Sequence, residues 1–371
     1  MKSSGPFLLL LLFLLSLSHT VSGLGSVVWK GYSYQPNHYT WQDAQSYCRN
    51  STSFPDLATI FTESDEQSIN VWEYYAWTGI HKPIYHYNYN YWVSSNGVYS
   101  NLQPYWTYQS GDAYCAVAAY SNKWLNGTDC DKSYFFFCQH NNDKDYTFIP
   151  LSKIWSEAQQ YCKSYWSDGH HDLATFHTYF DLYSTLIQQD FPVWTGLHRD
   201  EGTWRWSTGL SKYRNWASNE PGNDDCVSIS SRSKKMATQS CSARFPFLCF
   251  ADNLVLVKEN KTWEKALEHC RALHSISQPN LRYELVSVQP GKDHDYVMNR
   301  VMEANTEEVW AGLRFLAGEW LWVNGASMLY SNLPRCPTLV QHCGALSKNN
   351  TGSVETKDCS EKRNFLCYST S

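Results

Sequence analysis

Side chains with types and spacing suited to chemistry cluster in four places. Between Ser207 and Cys226 the chain is rich in Asn, Gly and Ser without periodicity. The end of that stretch, Asn219-Glu220-Pro221-Gly222-Asn223-Asp224-Asp225-Cys226, concentrates carboxylate and amide oxygens. A long loop inside a compact domain is usually functional, while Asn, Pro, Gly and Asp are also ordinary turn residues. Arg232, Lys234 and Lys235 form a basic cluster nearby, able to attract sulfated or sialylated groups; a solvated face is the plainer alternative. His170, His171 and His177 could suggest zinc, against a structural or exposed role. Tyr85, Tyr87, Tyr89 and Tyr91 alternate with His86, Asn88 and Asn90, as an adaptable recognition surface or a half-buried strand would. No His-Glu-x-x-His, nucleophile elbow or phosphate-binding glycine loop occurs, so catalysis has no candidate centre and the chain reads as non-enzymatic.

The thirteen cysteines belong to a framework written three times. Trp41, Ala44 and Cys48 recur as Trp155, Ala158 and Cys162 and as Trp263, Ala266 and Cys270, offsets that put each trio on one helix face. Each trio is followed by a Trp-small-Gly-aliphatic run (Trp77 to Ile80, Trp194 to Leu197, Trp310 to Leu313), a cysteine pair, and a closing Phe-x-Cys at Cys138, Cys249 and Cys367. The first cysteines stand 114 and 108 residues apart, the size of ordinary domains.

Residues 1–23 read as a cleaved signal peptide, with Lys2, an apolar run from Phe7 and a small-residue exit at Val21-Ser22-Gly23. No later stretch resembles a membrane span, and a secreted, extracellular product is expected. In that oxidising route the cysteines are expected to pair. The repeat suggests a long bridge per copy, Cys48–Cys138, Cys162–Cys249 and Cys270–Cys367. Inside each sits a short one, Cys115–Cys130, Cys226–Cys241 and Cys343–Cys359. Cys336 is then left free or intermolecular, which implies a disulfide-linked dimer as a possible partner state. Sequons at Asn50, Asn126, Asn260 and Asn349 mark expected glycosylation. A net charge of −5 excludes a general nucleic-acid binder, and 17 Trp with 26 Tyr suit either compact aromatic cores or a stacking surface.

The middle copy shows the elements that must position these groups. A strand is expected from Tyr146 to Ile149, a helix from Ser152 to Cys162, a short extended piece at Asp172 to Thr175, and a second helix packing through Phe180, Tyr183, Leu186 and Ile187. Strand signals follow at Trp194 to Leu197, Trp204 with Trp206, Cys226 to Ile229 and Phe247 to Phe250.

This order of helix, helix, Trp-x-Gly-Leu strand, long loop, inner cysteine pair and Phe-x-Cys strand resembles the C-type lectin-like domain. The tandem array resembles the ectodomain of the macrophage mannose receptor and phospholipase A2 receptor group. The resemblance implies an α+β fold of three tandem domains, at 24–140, 141–250 and 251–371. Each would have two helices, antiparallel sheets, a long loop and two disulfides. It also implies glycan or glycoprotein partners, no nucleic acid, and a role in innate defence or clearance. A lectin-like module binding protein without calcium is the alternative.

In that family the long loop holds a calcium ion that accepts sugar hydroxyls, through a Glu-Pro-Asn motif and a later Trp-Asn-Asp. Calcium takes six to eight hard oxygen ligands. By resemblance Glu220, Asn223 and Asp224 are the metal and ligand residues, with Gly222 inserted and Pro221 at the family's cis position. Met236-Ala237-Thr238 replaces Trp-Asn-Asp, so the calcium site is incomplete and calcium is possible in the middle copy alone. The first copy, with Trp106 to Cys115 and Trp124-Leu125-Asn126-Gly127, and the third, with Pro334-Arg335-Cys336-Pro337 and Val354-Glu355-Thr356, lack the motif.

Overall fold

The computed structural model describes residues 28–51, 56–83, 91–95, 97, 102, 106–108, 113–140, 144–165, 171–207, 211–274, 280–326 and 328–370. Tyr85, Tyr87, Tyr89, His170 and the signal-peptide stretch therefore lie outside the described residues. Six helices, α1 (Trp41–Asn50), α2 (Glu63–Ser68), α3 (Trp155–Tyr165), α4 (Tyr179–Thr185), α5 (Trp263–Ala272) and α6 (Lys292–Met302), accompany three seven-stranded sheets among them. Two compact units result, residues 31–251 and residues 252–371 with the N-terminal segment to Lys30.

The third copy folds on itself. Thr262 caps α5 by accepting from the Lys265 N–H, and Trp263, Ala266 and Cys270 make its buried face. Its first strand, Leu254–Lys261, lies antiparallel to its last, Arg363–Thr370, so the two ends of the copy sit side by side. Cys270 is bonded to Cys367, and the indole N–H groups of Trp263 and Trp310 donate to the carbonyls of Ala311 and Lys261.

In residues 31–251 the same contacts are made, but crossed between the first two copies. Cys48 is bonded to Cys249 and Cys138 to Cys162. The expected bridges Cys48–Cys138 and Cys162–Cys249 are thus corrected, whereas Cys115–Cys130, Cys226–Cys241, Cys270–Cys367 and Cys343–Cys359 form as expected. The indole of Trp41 donates to Thr195 and that of Trp155 to Thr78; Trp194 donates to Tyr39 and Trp77 to Lys153. The three Trp-x-Gly glycines tell the same story. Gly312 N donates to Val286 of its own copy, but Gly79 N donates to Ala174 and Gly196 N to Ala58.

Two lobes follow from the crossing. A contiguous lobe, residues 75–185, joins the strands Tyr75–His81, Cys115–Ala119, Trp124–Thr128 and Tyr134–His140 of the first copy to Tyr146–Lys153, α3 and His171–Leu173 of the second. A split lobe joins Lys30–Tyr39, α1, Asp56–Leu57 and α2 of the first copy to Pro192–Asp200, Thr203–Trp206, Cys226–Ser230, Met236–Gln239 and Phe245–Asp252 of the second. The contiguous lobe is a circular permutation of one repeat, inserted into the other, a rearrangement that adjacent chain ends permit.

The connection between copies explains the choice. Only residues 141–145 separate Tyr134–His140 from Tyr146–Lys153, and these strands pair antiparallel with Gln139 opposite Tyr146. A five-residue connection closes a hairpin readily, and the hairpin puts the second copy's first strand in the slot beside the first copy's last. The first copy's own leading strand then completes the remaining sheet, beside Phe245–Asp252. Between the second and third copies Asn253 alone intervenes, too little for a hairpin, and the third copy closes on itself.

One expected packing face holds only at Leu186. In α4 Asp181 and Leu182 are buried, and the expected Leu186 is buried at the C-cap, while Phe180, Tyr183 and Ile187 are exposed. The capping box between Thr178 and Asp181 fixes where the helix starts, and residues four apart, 182 and 186, take the inner side.

Candidate functional site

The long loop of the middle copy belongs to the split lobe and runs from Trp206 to Cys226. Its far end is pinned from two sides. Glu220, joined to Pro221 by a cis peptide bond as the resemblance implies, is half-buried. Its Oε2 accepts from Gly222 N (2.9 Å), Thr238 N (3.0 Å) and Thr238 Oγ1 (2.7 Å). Partial burial pushes this carboxyl up, but the Thr238 N–H and hydroxyl and the Gly222 N–H together hold it below its ordinary value. Thr238 thus matters to the site, a role hidden in the sequence because it stands where the family's calcium-binding acid is missing.

On the other side, the Arg199 guanidinium donates through Nε to Asp225 Oδ1 at 2.7 Å and through Nη2 to the carbonyls of Asn223 and Asp224. It also lies 5.1 Å from the Trp204 ring centroid, and Trp204 meets Trp216 edge-on at 5.1 Å. Neither Arg199 nor Trp216 is flagged by the sequence pattern. The period-two run that marks Trp204 as a strand residue also places Arg199 opposite it, since the two are register partners.

The near end of the loop is held by the first copy. Ser207 Oγ and Ser211 Oγ donate to the carbonyls of Leu57 and Ile60. Glu66 of α2 is buried, accepting from Tyr213 Oη at 3.1 Å and from Asn215 Nδ2 at 3.0 and 2.8 Å. The basic cluster is drawn apart by the same framework: Lys235 Nζ donates to Asn215 Oδ1, Lys234 Nζ to the Ser231 carbonyl, and Arg232 is exposed with its N–H on Asp190.

Asn223 and Asp224 are exposed beside half-buried Glu220. This set fits a calcium ion poorly. One Glu220 oxygen is already filled by three donors, Asp225 and two loop carbonyls serve a guanidinium, and Thr238 offers a hydroxyl that donates to Glu220 instead of a carboxylate. Among the described residues no three His, Cys, Asp or Glu side chains converge to hold a metal. His171 is buried and stacks on His140 at 4.2 Å, and His177 is exposed. Cys336 is a free, exposed cysteine in the third copy, and Glu355 there pairs with Lys357. Of the sequons, Asn50, Asn260 and Asn349 are exposed and Asn126 is half-buried. No helix among the described residues is long and apolar enough to cross a membrane.

Known proteins share this framework. The model of the Lectin C-type domain matches residues 37–140, 151–251 and 259–369. Lithostathine-1 of Mus musculus is 29% identical over 116 residues, covering 28% of this chain and 70% of that protein. The secretory phospholipase A2 receptor of Homo sapiens is 23% identical over 270 residues, covering 60% of this chain but 18% of the receptor. Among solved structures, the C-type lectin CEL-I from Cucumaria echinata is 21% identical with a TM-score of 0.28, covering 33% of this chain and 89% of that one. With three matched segments spanning most of its length, the chain belongs to the C-type lectin domain family, as a tandem array of the kind found in the phospholipase A2 receptor and mannose receptor group.

Proposed function

We propose that this chain is a secreted, non-enzymatic glycan-recognition protein whose working surface is the 211–226 stretch of the split lobe's loop, acting without a resident calcium ion. The observation behind this reading is a loop whose backbone is pinned by Arg199, Glu220 and Thr238 while Asn219, Asn223 and Asp224 stay exposed. Sugar hydroxyls both donate and accept. An amide beside a carboxylate serves both needs, and a pinned backbone spares the ordering cost of binding. The half-buried Trp204 and Trp216 add an aromatic surface on which an apolar sugar face can pack.

The test is a glycan array probed with the secreted chain in millimolar calcium and again in chelator. Binding that persists in chelator and is lost in Asn223→Ala and Asp224→Ala supports this reading. Abolition by chelator would return the loop to a calcium-assisted mechanism through Glu220, Asn223 and Asp224.

A second reading, recognition of a protein surface, is favoured by the exposed apolar set Phe180, Tyr183 and Ile187 on and just after α4. An array silent under both conditions would move the assignment there. Cys336 is further proposed to link two copies or a partner chain by an intermolecular disulfide.

A further inference from the structure

We infer that Glu66, a residue of the first copy, is the positioning residue for the middle copy's binding loop, so that the site is a composite of two repeats. The inference about loop order stands on geometry; its consequence for glycan binding rests on the function proposed above.

The two short helices α2 and α4 are equivalent pieces of successive copies. Each opens with the same capping box, Thr62 with Asp65 and Thr178 with Asp181. The next residue is buried in both, but it is Glu66 in one and Leu182 in the other. Because the copies are crossed, α2 lies against the middle copy's loop, and Glu66 meets Tyr213 and Asn215 there. Had each copy folded on itself, Leu182 would face that loop. It offers no acceptor for the Tyr213 hydroxyl or the Asn215 amide, and burying such donors unpaired is costly. The sequence of the loop is therefore matched to the helix of the other copy.

The third copy provides an internal comparison. There α6 presents buried His294 to its own loop, and His294 Nδ1 lies 2.7 Å from Tyr330 Oη. Tyr330 follows the buried Trp322 by eight residues, much as Tyr213 follows Trp206 by seven. A buried polar side chain of the second helix thus clamps a loop tyrosine in the split lobe and in the third copy. In the split lobe the clamp is donated across the repeat boundary. It then extends through Asn215 to Lys235 at the surface, fixing the backbone that leads through Trp216 and Ala217 to Glu220; Ala217 N donates to the Met236 carbonyl and Met236 N to the Asn215 carbonyl across this stretch.

The experiment measures hydrogen–deuterium exchange of the full disulfide-bonded chain and of Glu66→Leu and Glu66→Gln variants. The glycan array is run in parallel. Glu66→Leu is expected to speed amide exchange within 211–217 by at least about tenfold while 245–250 keep their wild-type rates, since hydrogen bonds to a charged group are among the stronger ones. Glu66→Gln keeps an acceptor and is expected to stay within about threefold. Array signal should fall with Glu66→Leu and recover with Glu66→Gln. Wild-type exchange at 211–217 in Glu66→Leu would overturn the inference. If that variant is not secreted, Tyr213→Phe removes one donor from the same carboxylate, and unchanged exchange there would overturn it equally. An array silent for the wild-type chain would count against the glycan reading only, because the exchange readout needs no ligand.

Discussion

Cys48 and Cys249 are bonded across 201 residues, from the first helix of the first copy to the last strand of the second. This bond closes the split lobe around an inserted lobe that carries its own bridge, Cys138–Cys162, over 24 residues. Digestion of the non-reduced protein, followed by mass spectrometry of linked peptides, is expected to yield these two pairs. Recovery of Cys48–Cys138 and Cys162–Cys249 would refute the crossed arrangement. Removing Cys48 and Cys249 together as alanines should lower stability by about 2–5 kcal/mol, read as a drop in denaturant midpoint.

Gly196 reports on the crossing by a different route. A Cβ there would collide with Ser207 Oγ and stand 3.0 Å from the Leu57 carbonyl and 3.1 Å from that of Ala58. The serine can rotate, but the two carbonyls belong to backbone brought in from the first copy. Gly196→Ala is expected to destabilise the 31–251 unit by about 1–3 kcal/mol. Pairing it with Ser207→Ala should restore only part of that loss in thermal denaturation.

His38 ties stability to pH. It is buried among Phe135, Tyr134 and Ser152, with Nδ1 2.5 Å from Ser152 Oγ and Nε2 lacking a hydrogen-bond partner. Burial pushes it down to about 3 from an ordinary 6.5. The folded state therefore keeps it neutral where the unfolded chain takes up a proton. Stability is full above 6.5 and falls as the pH drops towards 3, by up to roughly 1.4 kcal/mol per pH unit. His38→Gln should flatten that window, and an unchanged slope in urea titrations would refute the assignment.

Glu220 acts in the same direction, in this case because the folded state favours a charged form. Its carboxyl is held below its ordinary 4.5 by Thr238 and Gly222 against the effect of burial. The stabilisation it gives the loop is present above 4.5 and lost as pH falls through the depressed value. Thr238→Val removes the hydroxyl donor and should move that loss to higher pH, at a cost of about 1–2 kcal/mol in loop stability. Carboxyl chemical shifts of Glu220 followed by NMR would check it.

Cys336 offers a direct measurement. If it links chains, electrophoresis without reductant shows a dimer or adduct that Cys336→Ser abolishes, and a monomer with one titratable thiol excludes it.

Much of this was written in the residues themselves. Three helices bear Trp, Ala and Cys on one face because offsets of three and four keep them there, and all three trios reach lobe cores. The short bridges were legible because 15 or 16 residues return a strand pair to its start. Of the long bridges Cys270–Cys367 was legible too, but those of the first two copies were not. Cys48, Cys138, Cys162 and Cys249 occupy equivalent positions in equivalent helices and strands, so the cysteine framework by itself holds no preference between partners. The decision fell to chain connectivity, since Tyr134–His140 pairs antiparallel with Tyr146–Lys153, the next strand along the chain. The site followed the same division: sequence alone identified the oxygen-rich run from Asn219 to Asp225. Only tertiary structure brought Arg199 to its carbonyls and Glu66 to Asn215, because those neighbours are set by which lobe each segment joins.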